Sequence, residues 1–168
     1  AADHSDQTDM KADPAAVSVL MVCLGNICRS PTAEAVLRHR LHEAGLAHRM
    51  HVDSAGTGNW HIGEPPDGRS QRHAALRGYD LSSLRARQVK EDDFHRFDFI
   101  LAMDENNLAD LARIAPDQHP AQVRLFAATE VPDPYAGGPE GFEQVLDLVE
   151  AASDAWVQDL RRLKGTFP

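Results

Sequence analysis

Residues 17–22 (VSVLMV) form a short, nearly continuous apolar run rich in β-branched side chains, the pattern of a strand covered on both faces, and it stops at Cys23. Ser30, Pro31 and Thr32 supply a capping residue and a proline for a first helical turn. Ala, Leu and Val then recur at helical spacing over residues 33–44, and Gly45 provides the stop. Residues 50–54 and 97–103 read as strands, 70–77 and 104–114 as helices, and 123–126 as a last short strand. From residue 142 to 163, Val145, Leu148, Val149, Ala152, Trp156, Leu160 and Leu163 fall three and four apart, which predicts a long closing helix with one apolar face. Residues 1–16 show no such periodicity and are expected to form a flexible tail ahead of a domain over 17–168.

Strand and helix alternate, so the expected fold is α/β: a three-layer α/β/α arrangement around a four-stranded, parallel, twisted sheet with helices on both faces. Ligands of such sheets bind beyond the carboxyl ends of the strands, and Cys23 stands at that edge. The Pro- and Gly-dense stretch 131–141 (VPDPYAGGPEG) is a loop by its chemistry. With 168 residues, 42% of them apolar, a single domain suffices.

Charge narrows the function. A formal net charge of −9 and a pI near 5.4 disfavour a nucleic-acid or anionic-membrane partner, both of which reward a basic face. No run approaches the roughly 18 consecutive apolar residues of a membrane span, and the polar, acidic start lacks the regions of a signal peptide, so a cytoplasmic protein is expected. The two cysteines, Cys23 and Cys28, are too few for a disulfide framework and match no usual zinc spacing. The nine His lack paired metal-ligand spacing, and most, with His39, His42, His48, His51 and His61 among them, are expected on solvated surface. The acidic run Glu91-Asp92-Asp93 is likewise expected to be a solvated face. No metal or cofactor is called for.

Between the first strand and first helix lies Cys23-Leu24-Gly25-Asn26-Ile27-Cys28-Arg29-Ser30. Backbone N–H groups at a helix N-terminus lack intrahelical acceptors and, with the helix dipole, suit a dianion. Arg29, six positions after Cys23, can set a guanidinium fork against two phosphate oxygens while the sulfur faces phosphorus. The same field favours a thiolate over a thiol. Gly25 permits close approach or positive φ, and Asn26 tolerates left-handed geometry and can brace the loop. Ser30 can donate to the Cys23 sulfur or, in its ordinary role, cap the helix.

The segment from Val22 to Pro31, VCLGNICRSP, resembles the signature of the low-molecular-weight protein-tyrosine phosphatases. The likeness runs from about Val17 to Leu163, with Asp53-Ser54-Ala55-Gly56-Thr57, Met103-Asp104-Glu105-Asn106-Asn107-Leu108 and Asp133-Pro134-Tyr135 in matching order. It implies hydrolysis of phosphotyrosine proteins through a cysteinyl-phosphate on Cys23. Arg29 and the loop residues Leu24, Gly25, Asn26, Ile27, Cys28 and Ser30 would hold the phosphate, and Asp133 would serve as general acid and then base. It also implies that Trp60 and Tyr135 wall the pocket, and that Ile27 favours phosphotyrosine, since phosphoarginine-directed relatives look like having Thr there. Cys28 could protect Cys23 as a disulfide under peroxide, or be a small buried apolar residue.

Two departures stand out. Ala136 replaces a frequent second aromatic, which would open the pocket rim, and a His that braces the loop Asn in some relatives corresponds to Arg77, with His73 one turn earlier. Bacterial relatives of this kind resemble partners of tyrosine kinases, so such a kinase is a candidate substrate for a protein expected to be a monomer. The alternatives are a thioredoxin-coupled arsenate reductase, whose further relay cysteines are missing here, and a non-catalytic phosphate-binding module or thiol redox sensor.

Overall fold

The computed structural model describes residues 16–162; the expected tail, apart from Ala16, and Leu163 lie outside them. Four parallel strands, β1 (Val17–Cys23), β2 (Met50–Gly56), β3 (Phe99–Ala102) and β4 (Gln122–Leu125), are ordered β2-β1-β3-β4. The helices are α1 (Arg29–Glu43), α2 (Gly68–Leu76), the single turn α3 (Asp93–Arg96), α4 (Glu105–Ile114) and α5 (Pro139–Arg162). The α/β class and the four-stranded parallel sheet are as expected.

The sheet is covered on both faces, which is why β1 reads as a continuous apolar run rather than an alternating one. Val17, Val19, Met21 and Cys23 pack with α1, Ala74 of α2 and the apolar stripe of α5. Leu20 and Val22 pack on the other side with Phe94 of α3 and Leu111 of α4. Because Cys23 is the last residue of the central strand β1, paired to Gly56 at the end of β2, the chain emerges from the sheet at its carboxyl edge.

Several boundaries differ from expectation. Helix α1 begins at Arg29, with Cys28 in the capping position, so Ser30 is its second residue and not its cap. Pro31 still falls in the first turn, where its missing N–H costs nothing. That turn is closed by the Thr32 hydroxyl, which donates to the Cys28 carbonyl at 2.6 Å. The stop at Gly45 is as read: its φ is +73°, and Leu46 N–H reaches back to the Leu41 carbonyl at 2.8 Å. Strand β3 is shorter than residues 97–103, because Phe97 closes α3 and the Asp98 carboxylate accepts the Ser18 N–H at 2.8 Å. Helix α5 starts three residues early, with Pro139 in the first position that suits proline.

Candidate active site

The loop after β1 owes its shape to bonds made from outside. Thr57, Gly58 and Asp67 donate their N–H groups to the carbonyls of Cys23, Leu24 and Ile27 at 3.0, 2.8 and 2.8 Å. Since each peptide N–H lies opposite the carbonyl of its own plane, pinning these carbonyls outward turns loop amides toward the cleft. Asn26 sits at φ +58°, a turn its short amide tolerates, and its own N–H points at the Cys23 sulfur at 3.3 Å. The hydroxyl of Ser30 is 3.0 Å from the same sulfur. The cradle of N–H groups, the sulfur and the start of α1 therefore meet at one point.

Arg29 reaches that point with its side chain only 3% exposed. Its guanidinium donates to Asp104 Oδ2 at 2.6 Å and to the Val131 carbonyl at 3.1 Å, and stands 3.7 Å from Asp133 Oδ2. Burial opposes the charge, but Cys23, the Asp104 hydrogen bond and Asp133 outweigh it and hold Arg29 above its ordinary value. Asp104 does two things at once. Its Oδ1 accepts the Asn107 N–H at 2.7 Å in a capping box that starts α4, while Oδ2 orients the arginine.

The brace on Asn26 comes from neither Arg77 nor His73. Both face α5, where Arg77 pairs with Glu143, Asp147 and Glu150, and His73 pairs with Glu143 and stacks on Phe142. Instead the Asn26 amide donates to Ser30 and Ser54 at 2.8 and 3.0 Å and accepts the Arg87 N–H at 3.0 Å. Arg87 is held by Asp53 and by Asp93, which also accepts the Lys90 N–H. Asp93 is 0% exposed, so the acidic run 91–93 is not simply a solvated face: one of its members is a buried counterion.

Above the loop opens a cleft of about 180 Å³, lined by Cys23, Leu24, Gly25, Ile27, Cys28, Arg29, Trp60, His61, Asp133 and Tyr135. All three proposed chemical groups and both aromatic walls are thus brought together. Trp60 is 65% and Tyr135 51% exposed, and Ala136 beside Tyr135 is exposed. Asp133 Oδ1 accepts the Tyr135 N–H at 3.0 Å, a local turn that fixes the carboxylate at the mouth. His61, expected on solvated surface, is a wall residue: its ring edge would lie 3.1 Å from a Cβ at Gly25, and its Nδ1 is 2.9 Å from Glu64 Oε1. Cys28 is buried, and burial pushes its thiol up to about 12.

Gly56 carries a sharp constraint. A Cβ there would lie 2.7 Å from the Leu24 carbonyl and 3.1 Å from both Asn26 N and Gly25 C, all backbone of the cradle. Gly56→Ala should therefore displace the loop, and a misplacement near 1 Å costs on the order of 100-fold in kcat/KM. Steady-state phosphatase kinetics and phosphate titration of this variant check it; unchanged values would mean the cradle is softer than its hydrogen bonds imply.

The sequence profile of the family "Low molecular weight phosphotyrosine protein phosphatase" matches residues 18–165. The chain belongs to this family. A low molecular weight protein-tyrosine-phosphatase of Streptomyces coelicolor is 46% identical over 153 residues, covering 85% of this chain and 93% of the relative. A protein tyrosine phosphatase of Entamoeba histolytica, solved with Hepes in its active site, superposes with a TM-score of 0.83 at 38% identity, over 89% of this chain and 99% of that one. A Drosophila arginine phosphatase superposes with a TM-score of 0.79 at 31% identity, over 83% and 95%.

As a low molecular weight phosphotyrosine protein phosphatase, the chain is a member of a hydrolase family whose substrates are phosphotyrosine proteins. Sequence reasoning on this phosphatase found the loop, named Ser54 and Asp104 only as members of matching segments with no role assigned, and missed Arg87 and His61. A signal existed for Asp104, which lies in a capping pattern with Asn107, though that pattern accounts for only one of its oxygens. Among the described residues, no helix is long and apolar enough to cross a membrane.

Proposed function

We propose that this phosphatase hydrolyses protein phosphotyrosine through a cysteinyl-phosphate. The Cys23 thiolate attacks phosphorus, the bond to the phenolic oxygen breaks, and that oxygen takes a proton from Asp133. Water then attacks the cysteinyl-phosphate, Asp133 takes the water proton, the S–P bond breaks and inorganic phosphate leaves. Arg29 and the amides of residues 24–29 carry the charge on the phosphoryl oxygens throughout. Ser30, donating to sulfur, eases the departure of the thiolate. The observation that carries this reading is that a sulfur at a strand end, a buried guanidinium and a carboxylate line one cleft.

Trp60 and Tyr135 offer flat faces to a phenyl ring, and a slot between them delivers phosphorus to Cys23 only from a side chain as long as phosphotyrosine. Ile27, 8% exposed in the cleft wall, presents hydrocarbon where phosphoarginine would bring a polar guanidinium, which supports the tyrosine preference. A thiol relay with Cys28 is disfavoured as the main activity, because a resolving thiol must ionise and burial pushes this one up to about 12. The catalytic unit is residues 17–168 acting as a monomer, and a bacterial tyrosine kinase is one candidate phosphoprotein substrate.

The test is hydrolysis of phosphotyrosine, phosphoserine and phosphoarginine with arsenate reduction alongside, in reductant, with and without EDTA. Among the described residues, no cluster of three or more His, Cys, Asp or Glu is arranged to hold a metal ion, so EDTA should leave turnover unchanged. Phosphotyrosine turnover that outpaces the other substrates supports the proposal; faster phosphoarginine turnover or arsenate reduction refutes it.

A further inference from the structure

Behind the phosphate loop lies a carboxylate that the proposed reaction does not use. Glu34 stands on α1 one turn past Ser30 and is 2% exposed. Its Oε1 accepts the Ser54 hydroxyl at 2.6 Å, and its Oε2 pairs with Arg38 at 2.6 Å, the same arginine that donates to the Val52 carbonyl. The other charges that act on it are Asp53 of β2 and Arg87, itself paired with buried Asp93. Burial outweighs Arg38 and the Ser54 hydrogen bond and pushes Glu34 up to about 7.

The hydrogens in this cluster have little choice of direction. Because the Asn26 Oδ1 accepts the Arg87 N–H, its amide nitrogen is turned to Ser30 and Ser54, and both of its hydrogens are committed there. Ser54 Oγ receives one and sends its own hydrogen to Glu34. Ser30 Oγ receives the other, which leaves its own hydrogen between the Cys23 sulfur at 3.0 Å and the Ala55 carbonyl at 3.5 Å. The Arg87 N–H and Glu34 therefore hold the chain from two sides: the first turns the Asn26 amide nitrogen toward the serines, and the second draws the Ser54 hydrogen away so that Ser54 Oγ can accept from that nitrogen.

We propose that Glu34 is a positioning residue for the nucleophile: as terminal acceptor of the Ser54–Asn26–Ser30 chain, it keeps the Ser30 hydroxyl donating to the Cys23 sulfur. The inference rests on Cys23 being the reacting thiol, but it is read from thiol reactivity and does not need turnover. Protonation of Glu34 puts a hydrogen where Ser54 or Arg38 already donates, so the chain is best ordered when Glu34 is ionised.

The experiment is alkylation of Cys23 by iodoacetamide, followed by peptide mass, in wild type, Glu34→Met and Glu34→Gln. Cys28 contributes little, its thiol being pushed up to about 12. A hydrogen bond to a charged group is worth about a factor of ten, so Glu34→Met should slow alkylation about tenfold near pH 8, where Glu34 is ionised, and by much less near pH 6, where it is mostly protonated. Glu34→Gln keeps an acceptor oxygen for Ser54 and should recover to within about threefold of wild type.

Stability should behave differently from reactivity. A carboxyl at about 7 when folded, above its ordinary 4.5, contributes stability that is full below 4.5 and lost as pH rises through 7. Wild-type Tm should carry that decline, and Glu34→Met should lack it. A merely structural Glu34 would lower Tm and reactivity together at every pH. Should Glu34→Met fail to fold, Ser54→Ala cuts the same chain one link nearer the sulfur and carries the same alkylation expectation. Wild-type Cys23 reactivity in the folded Met or Ala variant, or a Gln variant no better than Met, would overturn the proposal. A phosphatase-dead wild type with these alkylation differences intact would instead count against the proposed function alone.

Discussion

Cys23→Ser should lose phosphotyrosine turnover by on the order of 10⁴-fold or more while still binding inorganic phosphate. In the proposed mechanism the nucleophile is a thiolate, and a serine hydroxyl at the same place has no comparable ionised form near neutral pH. Binding survives because its sources lie elsewhere. The outward-pinned carbonyls still turn the loop amides inward, and Arg29 is still held by Asp104 and Val131 at 2.6 and 3.1 Å. Phosphate titration by calorimetry together with turnover on phosphotyrosine measures both halves. Residual turnover near the wild-type rate would remove Cys23 from the mechanism, and loss of binding with turnover would mean that the thiolate itself shapes the cradle.

Asp133→Ala is expected to act selectively. A positioned general acid is worth about 10²–10⁴-fold, but only where the leaving oxygen needs the proton. Phosphotyrosine, with its poor phenol leaving group, should therefore lose about 100-fold or more. An aryl phosphate with an electron-poor phenol should lose about tenfold at most. The cleft location of Asp133, with its Oδ2 3.7 Å from the Arg29 guanidinium, puts the carboxyl next to the phosphoryl group that Arg29 would hold. A plot of rate against leaving-group acidity for the variant should be steep where the wild type is flat. Equal losses across the series would move the acid role to another residue.

The parts of the site that could be read from the sequence are those whose chemistry is local. Cys23 through Ser30 is one short loop between a strand and a helix, and strand end, helix start and spacing are all visible along the chain. The parts that could not be read arrive from far away on generic residue types. Ser54 is 28 residues from the asparagine it braces, Arg87 is 61 away, and Asp104 is 75 from the arginine it orients. A serine at a strand end or an aspartate before a helix has an ordinary local explanation, and nothing in periodicity marks the second use. Asp93 failed for a related reason. An acidic triplet suggests solvent, yet α3 turns just one of the three inward to meet Arg87. The cap assigned to Ser30 moved because the helix extends back into the loop, a boundary set by convergence on the sulfur and not by propensity.

The Val131 carbonyl that accepts from Arg29 belongs to a residue whose own N–H is bonded to Met103 at 2.8 Å and whose side chain is wholly buried. Asp133 follows two residues later. An extended chain spans at most about 3.5 Å per residue, so the carboxylate-bearing residue hangs on a tether of roughly 7 Å whose anchor is the contact with Arg29, the phosphate clamp of the proposed mechanism. Whatever the rest of the 131–141 loop does in admitting different protein substrates, its chemical end stays on a short leash. Insertion or substitution beyond Asp133 can therefore reshape the loop while the reach of Asp133 from Arg29 stays bounded.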